Sequence, residues 1–109
     1  MNKLWPIYLA IEEMRKLDPE MQAHTINIFL TVCTLPNITM KDLGIRLGVS
    51  QATMSRNVAA LSKVHRLNRP GLDLIEATED PLERRRKIVN LTPKGERVKQ
   101  ALLKVLPSD

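Results

Sequence analysis

The sequence predicts a mainly α-helical chain carrying one small β-hairpin, an α+β fold, and three observations predict it. Apolar residues recur at three- and four-residue steps in successive stretches that open on a capping residue or a proline. Two of those stretches are short and meet at Gly48. Beyond position 72, two runs of aliphatic and β-branched residues flank a charged insert, which is the pattern of a hairpin.

The first helix is expected to begin near Pro6, because proline fits a first helical turn and pre-sets φ. Leu4, Ile7, Tyr8, Ile11 and Met14 form its stripe, which is expected to be buried. Leu4, Trp5, Ile7 and Tyr8 would then pack on the last helix or form a subunit interface. Asp18-Pro19-Glu20 reads as a stop and restart: Asp18 as the cap, Pro19 in the first helical position and Glu20 at the positive end of the dipole. A second helix should run to about Thr34. Met21, Thr25, Ile28, Phe29 and Val32 lie on one face and Ile26, Leu30 and Cys33 on another, so this helix is expected to be the most buried. Leu35-Pro36-Asn37 ends it.

Thr39, followed three residues later by Asp42, caps a third helix over Met40–Leu47. Gly48 stops it, since glycine accepts the left-handed conformation common just past a helix end. Ser50 then caps a fourth helix beginning at Gln51. Two short helices joined by a tight glycine-containing turn, at about 39–63, match a helix-turn-helix. Leu43, Leu47, Val49, Met54, Val58 and Leu61 fall where the pair must bury surface, leaving Ser50, Gln51, Thr53, Ser55, Arg56 and Asn57 as the polar start and outer face of the second helix. The strands of the hairpin are expected at 72–78 and 86–91, so 79–85 protrude. On a helix-turn-helix such a hairpin is a wing. Thr92-Pro93 repeats the capping signal, and a final helix at about 93–106 carries Val98, Ala101, Leu102 and Val105 as its stripe.

The 109 residues are read as a single winged helix-turn-helix domain, 1–109, long enough for a core of its own without staples. The 43% apolar and 27% charged content is ordinary for a globular chain. Neither a membrane span nor a signal peptide is legible, and the lone Cys33 fits a reducing compartment, so a cytoplasmic protein is expected. Cys33, amid apolar neighbours, reads as a structural thiol. The net charge of +5 is unevenly distributed. Residues 41–70 hold six Lys/Arg against one acid, 71–83 hold five acids and no base, and 84–109 hold eight Lys/Arg against two acids. Two basic blocks around an acidic insert suit nucleic acid, an acidic partner or an anionic surface.

Two segments carry a resemblance. One is residues 43–58, across the two short helices; the other runs Asp80-Pro81-Leu82-Glu83-Arg84-Arg85-Arg86-Lys87, then Ile88-Val89-Asn90 and Leu91-Thr92-Pro93-Lys94-Gly95. Together they resemble the multiple-antibiotic-resistance regulator (MarR) family of winged-helix repressors, and the likeness covers roughly residues 20–100. It implies a homodimer that sets a recognition helix in a major groove of double-stranded DNA and a wing arginine in the adjacent minor groove. Carried over by position, it points to Ser50, Gln51, Thr53, Ser55 and Arg56 in the helix, to Arg84 and Arg85 in the wing, and to Glu83 as the acid orienting an arginine. Glu83 stands where the family has aspartate, and residues 64–70 lengthen the link into the wing, either extending the recognition helix or forming a basic loop against phosphate. One helix follows the wing where the family usually has two.

Chemistry fits those assignments. Arg56 can grip guanine O6 and N7, and Gln51 adenine N6 and N7. Ser50, Thr53 and Ser55 are short enough to reach phosphate or base edges, and Ser50 can cap and face phosphate at once. Arg84, Arg85, Arg86 and Lys87 place four consecutive charges at the hairpin tip, and the preceding acids could pair with them and fix the wing. The same residues would otherwise be a solvated helix face and a solvated basic turn. No nucleophile-base pair, phosphate-cradling loop or metal-ligand spacing is present, so no enzyme activity, cofactor or metal is expected, and nothing assigns a small-molecule effector. The leading reading is a sequence-specific regulator of bacterial or phage type acting as a repressor. The alternatives are a winged helix docking a polymerase or replication partner, and a sequence-neutral DNA-binding protein of a phage.

Overall fold

The computed structural model describes residues 2–63 and 69–108. Its elements run α1 (Trp5–Arg15), α2 (Ala23–Thr34), β1 (Ile38–Thr39), α3 (Met40–Leu47), α4 (Gln51–Leu61), β2 (Ile75–Glu79), β3 (Lys87–Leu91) and α5 (Pro93–Val105). The strands form a three-stranded antiparallel sheet in the order β1-β3-β2. Among the described residues, five helices and this small sheet make the α+β winged helix-turn-helix architecture expected.

α1 starts at Trp5, one residue before its proline, and of the stripe expected to be buried Met14 alone is. Ala10, Met14 and, beyond the helix, Leu17 reach the core, whereas Leu4, Ile7 and Tyr8 are 65%, 59% and 53% exposed. The helix is apolar along two stripes, and periodicity alone does not say which meets a neighbour. Trp5 and Tyr8 stack on each other with ring centroids 5.1 Å apart and stay exposed, although α1 does contact α5.

The restart at Asp18 is also different. Asp18 accepts the Glu20 amide on Oδ1 (3.0 Å) and the Met21 amide on its carbonyl (3.1 Å). It therefore closes a turn of its own, and α2 begins only at Ala23, where the Gln22 carbonyl accepts from Thr25 and Ile26. α2 is the centre of the core as expected, with Ile28 and Phe29 inaccessible, but Leu30 is 41% exposed. Cys33 is half-buried, and burial pushes its thiol up to about 11, so it stays protonated at neutral pH.

β1 was not anticipated. Its two residues pair with β3, Ile38 opposite Val89 and Thr39 opposite Ile88. Asn37, at φ 61°, is tied to β3 by a reciprocal amide pair: its N–H donates to Asn90 Oδ1 and Asn90 Nδ2 donates to Asn37 Oδ1, both 2.8 Å. Thr39 consequently serves two elements, since its Oγ1 also accepts the Asp42 amide at 3.0 Å and caps α3. This couples the start of the helix-turn-helix to the hairpin.

The turn between α3 and α4 follows the sequence reading. Gly48 is left-handed (φ 65°), and Ser50 Oγ accepts the Thr53 amide at 3.1 Å. Leu43, Met54, Val58 and Leu61 are buried beneath it. α4 stops at Leu61, where the Leu61 carbonyl accepts the Leu74 amide at 2.7 Å. The two alternatives read for residues 64–70, an extended recognition helix or a basic loop, fall mostly on residues 64–68, outside those described.

The hairpin is shorter than expected at both starts, with β2 opening at Ile75 and β3 at Lys87. Thr92 then joins it to α5. Its Oγ1 accepts the Gly95 amide at 2.9 Å and donates to the Asp73 carbonyl at 2.6 Å, while its own amide donates to the Leu74 carbonyl at 3.1 Å. A Cβ on Gly95 would stand 1.9 Å from that Leu74 oxygen, so only glycine lets the helix lie this close to the strand. The Leu-Thr-Pro-Lys-Gly run is thus a cap, a helix-starting proline and a contact glycine in one segment.

Candidate nucleic-acid interface

The side chains expected to act together are set by two turns. On α4, Gln51 and Ser55 lie one helical turn apart, so they share a face. Both are exposed and point at the wing. Between them and the hairpin is an open cleft of about 490 Å³, which Arg85, Arg86 and Lys87 line from the wing and Lys41 from α3. Among the described residues no carboxylate lines it.

The wing tip is organised by Asp80. Its amide donates to the Arg86 carbonyl at 3.0 Å, and its carbonyl accepts the Glu83 amide at 3.2 Å. One carboxylate oxygen accepts the Leu82 amide at 2.9 Å and the other the Arg86 guanidinium at 3.0 Å. The Asp80 side chain is 13% exposed and that of Arg86 54%, so the pair is partly screened, but both carboxylate oxygens are used. The expected orienting acid was Glu83, carried over by position. Glu83 is exposed and among the described residues contributes only backbone, its carbonyl accepting the Arg86 amide at 2.9 Å and its amide donating to Asp80. The orienting acid is Asp80 and the arginine it holds is Arg86, because the turn folds back across its own first residue. The wider pairing of the acidic insert with the arginines comes down to this one bridge among the described residues; Arg84, Arg85 and Lys87 form none there.

The remaining predicted residues are distributed elsewhere. Ser50 and Thr53 spend hydroxyls on the cap, Ser50 Oγ donating to Thr53 Oγ1 at 3.0 Å. Thr53 and Arg56 face away from the wing, lining a second recess with Asn57 and with Gln22 and His24 at the start of α2. Arg84 is exposed at the tip and lines neither recess. Lys41 and His24 were not singled out from sequence. Lys41 belongs to the first basic block, which was a usable signal; His24 had none, since α2 meets α4 only in three dimensions. Among the described residues no group of three His, Cys, Asp or Glu could hold a metal, and no helix is long and apolar enough to cross a membrane.

No protein-family model matches the chain, and no curated protein does. Solved structures do. MarR is 26% identical, covers 86% of this chain and superposes with a TM-score of 0.66. PcaV of Streptomyces coelicolor, solved with its natural ligand, is 22% identical over 83% of this chain, TM-score 0.61. S. aureus MepR, solved as a DNA complex, is 18% identical over 88%, TM-score 0.71. The chain spans 61%, 66% and 71% of those three chains, respectively. The chain is MarR-like: it has the winged helix-turn-helix fold of those regulators.

Proposed function

We propose that the protein binds double-stranded DNA sequence-specifically and regulates transcription as a repressor, with α4 in a major groove and the wing in the adjacent minor groove. The observation that carries this reading is the cleft in which Gln51 and Ser55 on one helix converge with Arg85, Arg86 and Lys87 on the hairpin. A neutral hydrogen-bonding helix beside a cationic rim is what base readout and phosphate attraction respectively require. Gln51 can pair with adenine N6 and N7, and Ser55 is short enough to let the helix approach the bases. Arg84, at the exposed tip, suits a narrow minor groove. The likeness to MepR, whose structure is a DNA complex, supports the same reading.

The exposed α1 stripe of Leu4, Ile7, Tyr8 and Ile11 supports a homodimer, since contiguous apolar surface mostly marks an interface. A two-fold dimer would present two α4 helices to half-sites about one helical turn apart. The test is selection of duplex DNA sites by the purified protein at about 150 mM salt with excess competitor, because affinity without a stated salt has no meaning. An enriched inverted repeat is expected. Binding with no enriched motif would move the protein to sequence-neutral DNA handling, and no duplex binding would reject the reading in favour of a protein-docking winged helix.

A further inference from the structure

We propose that the recess on the side of α4 away from the wing is a second contact for a DNA backbone phosphate, made by His24 and Arg56, so that Arg56 anchors the helix and does not read a base. The proposal rests on the DNA-binding reading above and extends that interface onto α2.

The recess holds about 420 Å³ between the start of α2 and the outer side of α4. Apart from the Gln22 amide, which can itself donate to an anion, its polar groups divide into two kinds. Thr53 and Asn57 are already committed: the Thr53 carbonyl accepts Asn57 Nδ2 at 2.8 Å, the Thr53 hydroxyl accepts from Ser50, and Asn57 Oδ1 accepts the hydroxyl of the buried Thr25. The Thr25 bond ties α2 to α4, and the other two hold the floor from within α4 and its cap. The imidazole of His24 and the guanidinium of Arg56 make no such bond among the described residues, and no carboxylate lines the recess there. What is left to recognise is an anion that accepts hydrogen bonds. The next recess along α2 is lined by Asp18 and Glu20, so the favourable surface ends at His24.

The placement matches a duplex. A major groove is about 12 Å wide and bounded by two phosphate strands, so a helix seated in it has a strand on either flank. α4 is flanked by Arg85, Arg86 and Lys87 on one side and by Arg56 with His24 on the other. Arg56 follows Ser55 directly, hence sits about 100° around the helix from it, turned to α2 while Ser55 is turned to the wing. The neutral Gln51 and Ser55 read bases, and the cations on either flank meet phosphate.

The experiment measures full-length wild type, Arg56→Ala, Arg56→Lys and His24→Ala on the selected duplex and on a scrambled duplex, from about 50 to 200 mM salt. Arg56→Ala is expected to weaken both duplexes by the same factor, about tenfold, and to lower the slope of log affinity against log salt by about one. Arg56→Lys should restore most of the slope, and His24→Ala should weaken both duplexes by a smaller common factor. Arg56 is exposed and His24 half-buried, so the folded state survives both changes. A loss confined to the selected duplex, with the slope unmoved, would return Arg56 to base readout and overturn the proposal while leaving the DNA-binding reading intact. Wild type without affinity for either duplex would overturn both. Inorganic phosphate is the remaining arm: if it shifts the His24 ring resonances and the duplex does not, the recess is a free-anion site and the DNA assignment falls.

Discussion

The hairpin is held at its two ends by different means, and the difference separates what keeps this protein folded from what lets it act. At the base, Thr92 and Gly95 bring α5 against the chain entering β2 by buried contacts: a hydroxyl that serves one donor and one acceptor, and a glycine with no room for a methyl group. At the tip, seven mostly exposed residues from Asp80 to Arg86 are fixed by one largely buried carboxylate and three backbone bonds. The base is close-packed, where small changes of volume cost most. The tip is exposed, where an ion pair is worth little in stability and serves to direct side chains. Stability should therefore fall steeply from base to tip, and effects on DNA recognition should rise in the opposite direction.

The base offers the largest break. Gly95→Ala puts a Cβ 1.9 Å from the Leu74 carbonyl oxygen, and the helix must move off the strand; a loss of about 3 kcal/mol or more is expected as a fall in the urea midpoint. Thr92→Ala removes the α5 cap and leaves the Asp73 carbonyl without its donor, at about 2 kcal/mol, and Thr92→Ser should recover most of it by keeping the hydroxyl. Asp80→Asn keeps an acceptor for the Leu82 amide and breaks only the bridge to Arg86, so stability should drop by at most about 1 kcal/mol. The same change removes a negative charge beside the cleft and frees Arg86. Affinity for a scrambled duplex should then rise while selectivity for the chosen site falls about tenfold, which is 1.4 kcal/mol. Replacing Arg84 and Arg85 together by Ala should leave the urea midpoint within about 0.5 kcal/mol of wild type. It should nevertheless lower the salt slope by about one for each phosphate that the two guanidinium groups neutralise in the wild type. A large stability loss from the tip variants, or none from Gly95→Ala, would erase the contrast.

Much of the helix-turn-helix was legible because its signals are local. As helix caps and a helix stop, Thr39, Gly48, Ser50 and Thr92 each act within three or four residues of themselves, and all four occupy those roles as read from the sequence. Gln51, Ser55, Arg85, Arg86 and Lys87 belong to the nine residues read from the sequence as DNA contacts, but their separation from Thr53 and Arg56, between a wing-facing cleft and an α2-facing recess, was not legible. β1 escaped notice because two residues carry no period, and its reason for existing is the amide pair of Asn37 with Asn90. Glu83 follows from matching positions along the chain, whereas the tip is a turn in which its first residue, Asp80, lies beside its last, Arg86.

The sequence by itself determined where helices begin and end, which residues are polar on α4 and where the positive charge collects, since these follow from backbone sterics, capping and period over a few residues. The tertiary structure decided which of the two α1 stripes is buried, which acid holds which arginine, and which flank of α4 each polar residue faces. Those outcomes turn on distances between groups far apart in the chain, and hydrogen bonds and packing act only over a few ångströms.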